Sequence, residues 1–255
     1  MSFDYDSFSE LAHTRRSIRK LLPDPIPEGS IEKILECGRW AMSGGNSQPW
    51  EFIVITDPAT KLKMAEIWAE YMKEFKEIEM TRAPEIRHPL FSRPASLPNW
   101  KDAPAIIGVI GDRRKTQINV LHPNYYGAEG GDSINASYYK ALGNAAMMMH
   151  LAARSVGLAS HHTSLERPVE LQYMRLLGIP DELELHCLVM VGYPAFDGGP
   201  GYRRELSEIV HYEKYNPELF RTAKDLREEI LASRAAVRAA ESKAYDLKPV
   251  GKEND

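Results

Sequence analysis

Two short arginine clusters in the sequence could bind an anion. Residues 15–19, RRSIR, hold three guanidinium groups and one hydroxyl. Guanidinium groups bind phosphate oxygens through paired hydrogen bonds, and a serine hydroxyl adds a further donor. Taken alone, the segment is more simply explained as a solvated basic helix end. A second pair, Arg203 and Arg204, follows the last predicted strand, and convergence of the two clusters would favour a phosphate site.

The loop SGGNSQPW, residues 43–50, is rich in amide and hydroxyl side chains. Turn chemistry explains much of it, because Gly44 and Gly45 can adopt the positive φ that ends a helix and Pro49 forces Gln48 out of the helical conformation. The alternative is a loop that holds a planar polar ligand with amide side chains and bare backbone. The loop by itself favours turn chemistry.

Adjacent histidines, His161 and His162, lie in a segment that predicts a strand. Neighbouring residues of a strand point to opposite faces, so a shared metal ion is not expected. The sequence also contains neither a G-x-S-x-G motif nor a P-loop, and no nucleophile beside a base is apparent. If the protein is an enzyme, a bound cofactor is expected to carry the chemistry.

Composition excludes several functional classes. With 255 residues, 43% of them hydrophobic and 27% charged, the chain can bury one substantial core or two modest ones. The net charge of −4 argues against a general nucleic-acid binder. No apolar run has membrane-spanning length, and the acidic N-terminus is unlike a signal peptide. Cys37 and Cys187 share no motif, so reduced thiols and a cytoplasmic location are expected rather than a disulfide.

The pattern of apolar residues predicts interleaved helices and strands. The predicted helices are Ser7–His13, a helix ending near Met42, Asp57–Met80, Ser133–Val156 and Pro168–Leu177. The predicted strands are Glu51–Thr56, Ala105–Gly111, residues 158–164 and a strand beginning near Glu184 and closed by Gly192, Tyr193 and Pro194. No glycine-rich turn opens a helix after the first strand, which weakens a dinucleotide-binding interpretation. The sequence predicts an α+β fold with a small mixed sheet wrapped by long helices.

Two irregular segments are not explained by a core. Residues 84–104 are rich in proline and resemble a lid, and residues 122–132 carry several glycines. Their rings could stack on a flat substrate, although each ring could equally anchor its own loop. The substrate-wall candidates are Phe91, Trp100, Tyr125 and Tyr126. Near the C-terminus, Asn216 and Pro217 are expected to begin an amphipathic helix that covers its own core or embraces a second subunit.

Three motifs in order resemble the FMN-dependent nitroreductase family: RRSIR, SGGNSQPWEFIVI and VGYP followed by YRRELSEIVHYEKY. The resemblance extends from about Phe8 to Tyr215. It implies a nitroreductase-like FMN-binding domain over residues 1–215, with residues 216–255 as a C-terminal helical extension. It also implies an intertwined homodimer with FMN at the interface. Together with the composition and the spacing of the histidines, the sequence predicts a cytoplasmic enzyme that binds neither metal, nucleic acid nor membrane.

The resemblance assigns cofactor contacts to four groups of residues. Contacts to the FMN phosphate and the pyrimidine side of the flavin are assigned to Arg15, Arg16, Ser17 and Arg19. Contacts from the partner subunit to the ribityl chain and ring are assigned to Ser43, Asn46 and Gln48. Contacts beside flavin N5 are assigned to His162, Thr163 and Ser164, and further phosphate contacts to Arg203 and Arg204. The segment SHHTSLE is bulkier and more polar than family members commonly show beside N5.

The activity implied by the resemblance is a ping-pong reaction. NAD(P)H reduces FMN, and a second substrate then takes the electrons, with nitroaromatics, quinones and related flat acceptors expected. Relatives with the same fold dehalogenate iodotyrosine, fragment reduced flavin or reduce activated alkenes, so a reductive dehalogenase or ene-reductase is an alternative. A non-catalytic flavin-binding protein is the alternative of another class.

Overall fold

The structure is a computed structural model that describes residues 4–87, 97–116, 131–196 and 203–233. The chain divides into two compact units. The larger unit comprises Met1–Tyr71 and Ser96–Gly198, and the smaller comprises Met72–Ala95 and Gly199–Asp255. The predicted boundary between an FMN-binding domain over residues 1–215 and a C-terminal helical extension over residues 216–255 stays a prediction.

The larger unit contains a four-stranded sheet and most of the helices. The helices are α1 (Tyr5–Thr14), α2 (Ser30–Arg39), α3 (Pro58–Met80, which continues into the smaller unit), α4 (Arg113–Thr116), α5 (Gly131–Ser155) and α6 (Arg167–Leu177). The strands are β1 (Trp50–Ile55), β2 (Ala105–Gly111), β3 (Ala159–Ser164) and β4 (Glu184–Gly192). Among the described helices, none has the length and apolar character needed to span a bilayer.

The sheet has the strand order β1-β2-β4-β3, and each neighbouring pair is antiparallel. The α+β fold class is therefore confirmed. The described parallel pairing is one isolated bridge between Ser17 and Ser160, so the mixed character expected of the sheet is limited to that bridge. Strand β2 is buried along its whole length, as expected for a central strand without polar side chains.

Hydrophobic residues cover both faces of the sheet. One face packs against α2 and α5 and contains Cys187 and Val189 of β4, whereas the other packs against α6 and contains Leu188 and Met190. The alternation follows from the period of two in a strand. Both cysteines are free, and burial raises the pKa of the Cys187 thiol to about 12.

The segment after α1 lines the free edge of β3. Ile18 donates its backbone N–H to the carbonyl of Ser160 at 3.1 Å, and Leu22 donates to the carbonyl of Tyr193 at 2.8 Å. The Ile18 bond satisfies a backbone carbonyl that an uncovered edge strand would leave open, and the Leu22 bond joins the segment to the residue after β4. They also fix the arginine cluster of residues 15–19 beside β3.

In the smaller unit, the C-terminal helix begins later than the sequence predicts. Asn216 and Pro217 start only a single 3-10 turn, Pro217–Leu219, after which Phe220 is extended. Helical residues 223–233 follow Thr222, whose hydroxyl accepts the Asp225 N–H at 3.3 Å while the Asp225 carboxylate accepts the Thr222 N–H at 2.8 Å. This reciprocal cap stabilises a start after Thr222, so the predicted start at Asn216 is wrong.

Candidate functional site

Strand β3 presents two polar faces beside the arginine segment. Thr163 Oγ1 lies 3.1 Å from His161 Nε2 on one face, and His162 lies on the other, beside His150 of α5. The adjacent histidines thus point to opposite faces, as the sequence predicts. No group of three or more His, Cys, Asp or Glu side chains within the described ranges is arranged to hold a metal ion.

A chain of polar atoms connects α5 with β3. Ser160 Oγ lies 2.7 Å from His150 Nδ1, and His150 Nε2 lies 3.5 Å from His162 Nδ1. His162 Nε2 then lies 3.5 Å from the hydroxyl of Ser164, which is exposed. Ser160 and His150 are buried and His162 is half-buried, so the chain leads from the core to the surface.

Arg15 lies close enough to His150, and Arg19 close enough to His161, to lower the pKa of each imidazole. Burial, then His162 and then Arg15, lowers the pKa of His150 to about 3. Burial, followed by Arg19, lowers the pKa of His161 to about 3. The structure therefore brings the segment of residues 15–19 together with β3, two regions that the sequence separates by about 140 positions.

One buried atom of this site has no hydrogen bond. His161 Nδ1 has no hydrogen-bond partner among the described residues, and His161 is buried, with 8% of its surface exposed. Buried polar atoms are nearly always satisfied, so such an atom suggests a bound group or water.

The amide loop contains the 3-10 turn Gly44–Asn46, in which Gly45 but not Gly44 has the expected positive φ, at 58°, and α2 ends before the glycines, at Arg39. Asn46 and Gln48 both have positive φ, at 53° and 45°, which is uncommon for residues other than glycine. The backbone N–H of Gln48 donates to Ser43 Oγ at 3.0 Å. At Gly44 a Cβ atom would lie 2.5 Å from Ser137 Oγ, so the loop packs too closely on α5 for a larger residue. The side chains of Asn46 and Gln48 are exposed.

The amide loop and His162 contact different parts of α5, since His162 lies beside His150. Asn144 Nδ2 donates to the carbonyl of Met42 at 3.1 Å, and Gly44 lies over Ser137. At about 1.5 Å per residue, Asn144 is roughly 9 Å and Ser137 roughly 20 Å from His150 along the helix axis. Within one chain, the loop thus leads away from the arginine segment.

A sequence model of the nitroreductase family matches residues 12–193. The chain belongs to the nitroreductase family. It is 30% identical over 200 residues to a NADH dehydrogenase of Thermus thermophilus, with 77% of this chain and 91% of the relative covered. It is 29% identical over 199 residues to iodotyrosine deiodinase 1 of Rattus norvegicus, covering 74% of this chain and 62% of the relative.

Solved structures share the nitroreductase fold. An oxidised iodotyrosine deiodinase bound to FMN and 3-iodo-L-tyrosine has a TM-score of 0.62 and 21% identity, covering 81% of this chain and 99% of that one. The NfrA1 protein of B. megaterium has a TM-score of 0.65 and 18% identity, covering 95% of this chain and 87% of that one.

The second arginine pair of this nitroreductase-family chain lies in the smaller unit. Arg204 donates from Nη2 to the carbonyl of Glu208 at 2.6 Å, and its Nε is buried without a hydrogen-bond partner among the described residues. Arg203 is exposed. Convergence of this pair with residues 15–19 on one phosphate stays a prediction.

Of the four predicted substrate-wall residues, Trp100 is the one that the structure describes. Trp100 lies in the 3-10 turn Asn99–Asp102, is 4% exposed and belongs to the hydrophobic core on the α6 face. Its burial favours the alternative in which the ring anchors its segment. Phe91, Tyr125 and Tyr126 lie outside the described residues.

Sequence reasoning missed His150 and a polar cluster near the start of β4. The sequence did contain a signal for His150, because this titratable residue follows Met149, which belongs to the alanine-rich apolar face of α5. In the cluster, the Arg113 guanidinium lies over the rings of Tyr138 and Tyr139 and donates to Glu184 and to the Tyr139 hydroxyl. No sequence pattern connects Arg113 with Glu184, since they are 71 positions apart.

Proposed function

We propose that this chain is an FMN-dependent oxidoreductase that takes electrons from NAD(P)H and passes them to a flat organic acceptor such as a quinone or nitroaromatic. The observation that carries the proposal is the backbone bonding of Ile18 to Ser160, which brings residues 15–19 and 162–164 together in a member of the nitroreductase family. The Thermus relative named a NADH dehydrogenase supports the electron donor, and the FMN-bound deiodinase structure supports the cofactor.

The residues at β3 fit a phosphorylated, planar, polar cofactor. Arg15 and Arg16 are half-buried beside the edge of β3, and Ser17 adds a hydroxyl, a donor set that suits a phosphate. The orphaned Nδ1 of buried His161 matches a site built for a polar group. Arg19 is exposed but close enough to His161 to lower its pKa. Its guanidinium is therefore available to the polar edge of a bound flavin ring.

FMN, when bound, supplies the ability to accept and release a hydride equivalent. The residues of this chain position the cofactor and tune its electrostatics. A cation at Arg19 would stabilise negative charge at the edge of the reduced ring system. Backbone and side-chain groups of residues 162–164 would line the reactive side.

A homodimer would complete the site. The amide loop leads away from the arginine segment within one chain, which supports contacts from Ser43, Asn46 and Gln48 to the cofactor of a second copy. Exposed apolar side chains near this loop support such a contact. They are Trp40, Met42, Met147 and Met148. Water-exposed apolar groups of this size commonly mark an interface.

A reductive dehalogenase is the second candidate, favoured by the identity of 29% to iodotyrosine deiodinase 1. The two candidates differ in their second substrate. A halogenated tyrosine would lose halide, whereas a quinone would be reduced to a hydroquinone without loss of a group.

The test begins with the flavin released by heat from purified protein. We expect FMN, and FAD or no flavin even after reconstitution would contradict the proposal. NAD(P)H oxidation is then measured with 1,4-benzoquinone, nitrobenzene derivatives, an activated alkene and 3-iodotyrosine. Iodide release would select the dehalogenase, preference for the activated alkene an ene-reductase, and absence of turnover with every acceptor a non-catalytic flavin-binding protein.

A further inference from the structure

The polar chain Ser160–His150–His162–Ser164 has a defined direction. Ser160 is 3% exposed, and His150 Nδ1 is the one partner that the described residues give to its hydroxyl. If His150 donated to Ser160, the buried hydroxyl hydrogen would have no acceptor, which is costly. Ser160 therefore donates and His150 Nδ1 accepts.

This direction fixes both imidazole tautomers. A neutral imidazole carries one N–H, and burial keeps His150 neutral by lowering its pKa to about 3. With Nδ1 accepting, the proton of His150 lies on Nε2, which faces His162 Nδ1 at 3.5 Å. At this separation the contact is weak, but an N–H on His162 Nδ1 would face the N–H of His150, so Nδ1 of His162 is the unprotonated nitrogen. Burial lowers the pKa of His162 as well, so its single proton lies on Nε2.

The donor end of the chain lies toward the surface. His162 is half-buried, and its Nε2 lies toward the exposed hydroxyl of Ser164 at 3.5 Å, a separation that leaves this N–H weakly engaged. A bound oxygen atom could replace Ser164 as the acceptor at little cost. His162 is thus an uncharged N–H donor on the strand beside which Arg15 and Arg19 lie.

We propose that His162 donates Nε2–H to a carbonyl or nitro oxygen of the second substrate, and that Ser160 and His150 are positioning residues that hold His162 in this tautomer. This inference rests on the proposed function and narrows its substrate class to acceptors that carry such an oxygen. Reduction of a quinone adds two electrons and two protons and builds negative charge on oxygen. A fixed neutral donor stabilises that charge.

The balance of the reaction shows why His162 is a donor and not the acid. The electrons and one hydrogen originate as a hydride equivalent in NAD(P)H, and the second proton comes from solvent. Loss of the Nε2 proton from neutral His162 would leave an imidazolate, a charged form that the burial of this side chain disfavours. The hydrogen bond therefore strengthens as charge develops, and the proton stays on His162.

The tautomers are tested directly by nitrogen-15 NMR of the histidines in the FMN-loaded protein. We expect His150 and His162 as the Nε2–H form, and a mixture of tautomers in Ser160→Ala. The matched control is Ser155→Ala, because Ser155 donates only to a carbonyl of its own helix, that of Ala152, at 2.8 Å. An Nδ1–H form at either histidine of the unaltered protein would overturn the proposal.

The substrate role is tested with two electron acceptors. 1,4-Benzoquinone offers a carbonyl oxygen, whereas ferricyanide accepts single electrons without such a bond. In Ser160→Ala we expect benzoquinone kcat/KM to fall at least fivefold, with FMN content and ferricyanide reduction within twofold of Ser155→Ala. His162→Gln, which retains an N–H donor, should keep more benzoquinone activity than His162→Leu.

Equal benzoquinone rates in Ser160→Ala and Ser155→Ala, or in the two His162 variants, would overturn the substrate role. Failure of the proposed function has a different signature, since the unaltered protein would then oxidise no NAD(P)H with either acceptor. That result also removes the substrate role, whereas the tautomer assignment is decided by the NMR spectra alone.

Discussion

His150 Nε2 lies 3.5 Å from His162 Nδ1, although the two residues are 12 positions apart and belong to a helix and a strand. Their ring centroids are 5.6 Å apart at an interplanar angle of 52°, an arrangement that directs one ring nitrogen toward the other instead of stacking the faces. The pair stands on the sheet face that packs against α5, beside the arginine segment. It therefore joins the hydrophobic core to the candidate site.

Buried neutral histidines should make the protein less stable in mild acid. The pKa values of His150 and His161 are lowered from 6.5 to about 3 in the folded state, mainly by burial. The unfolded chain therefore binds more protons below pH 6.5, and the free energy of unfolding falls as pH decreases from 6.5 toward 3, by up to about 1.4 kcal/mol per pH unit for each proton.

This stability difference is measured by urea unfolding between pH 5 and pH 8 at fixed protein concentration. His161→Gln should flatten the pH dependence, and His13→Gln, at an exposed position of α1, serves as the control. A pH profile of the same slope in His161→Gln and His13→Gln would contradict the expected role of burial at His161.

Arg19→Ala should slow reduction of the bound flavin by NAD(P)H and lower the flavin reduction potential. Loss of a charge-assisted contact costs about 1.5–3 kcal/mol, which corresponds to at least tenfold in rate. Stopped-flow kinetics on fully loaded protein measure the effect, with exposed Arg175→Ala of α6 as the control. Unchanged kinetics in loaded Arg19→Ala would exclude a role at the ring edge.

Gly111→Ala should destabilise the larger unit because a Cβ atom would overlap the Tyr138 hydroxyl. Tyr138 is fully buried and donates to Glu184 at 3.4 Å, so it has little room to move. Overpacking of this kind costs about 1–3 kcal/mol. In a Tyr138→Phe background the cost should be smaller, and a double-mutant cycle from urea unfolding measures the coupling. An additive result would show that the crowding lies elsewhere.

The protein should be a homodimer that loses FMN when it dissociates. Light scattering should give about twice the chain mass of 28.9 kDa. Met147→Asp, at an exposed position of α5, should shift the protein toward a flavin-free monomer because it places a charge in the proposed interface. Met80→Asp, at an exposed position of the smaller unit, is the control. A flavin-loaded monomer would refute the shared site.

Aromatic residues of the irregular segments should divide into two groups. Trp100→Ala should lower the free energy of unfolding by about 3–5 kcal/mol because Trp100 belongs to the core. Alanine at Phe91, Tyr125 or Tyr126 should instead change kcat/KM for the second substrate severalfold while FMN content is retained. If all three leave the preference among quinones, nitroaromatics and alkenes unchanged, residues 161–164 become the next candidates for the substrate wall.

Much of the fold is encoded locally and could be predicted from the sequence. Strand β2 has the predicted bounds of Ala105–Gly111 because an uninterrupted apolar run fits a central strand that is buried on both faces. Helix α6 ends at Leu177 because Gly178 adopts φ of 68°, a conformation that glycine takes without strain. The family motifs also lie within short segments of the chain, so they can be identified from the sequence without knowledge of the tertiary structure.

The contacts that define the candidate site required the tertiary structure. Three contacts join residues that lie in different segments of the chain and at least 12 positions apart in sequence. They are the pairing of His150 with His162, the hydrogen bond from Ile18 to Ser160 and the position of Arg113 over the rings of Tyr138 and Tyr139. Local propensity and periodicity determine which residues share a face of one element. They do not determine which faces meet, because that depends on how side chains of several elements pack together in one core.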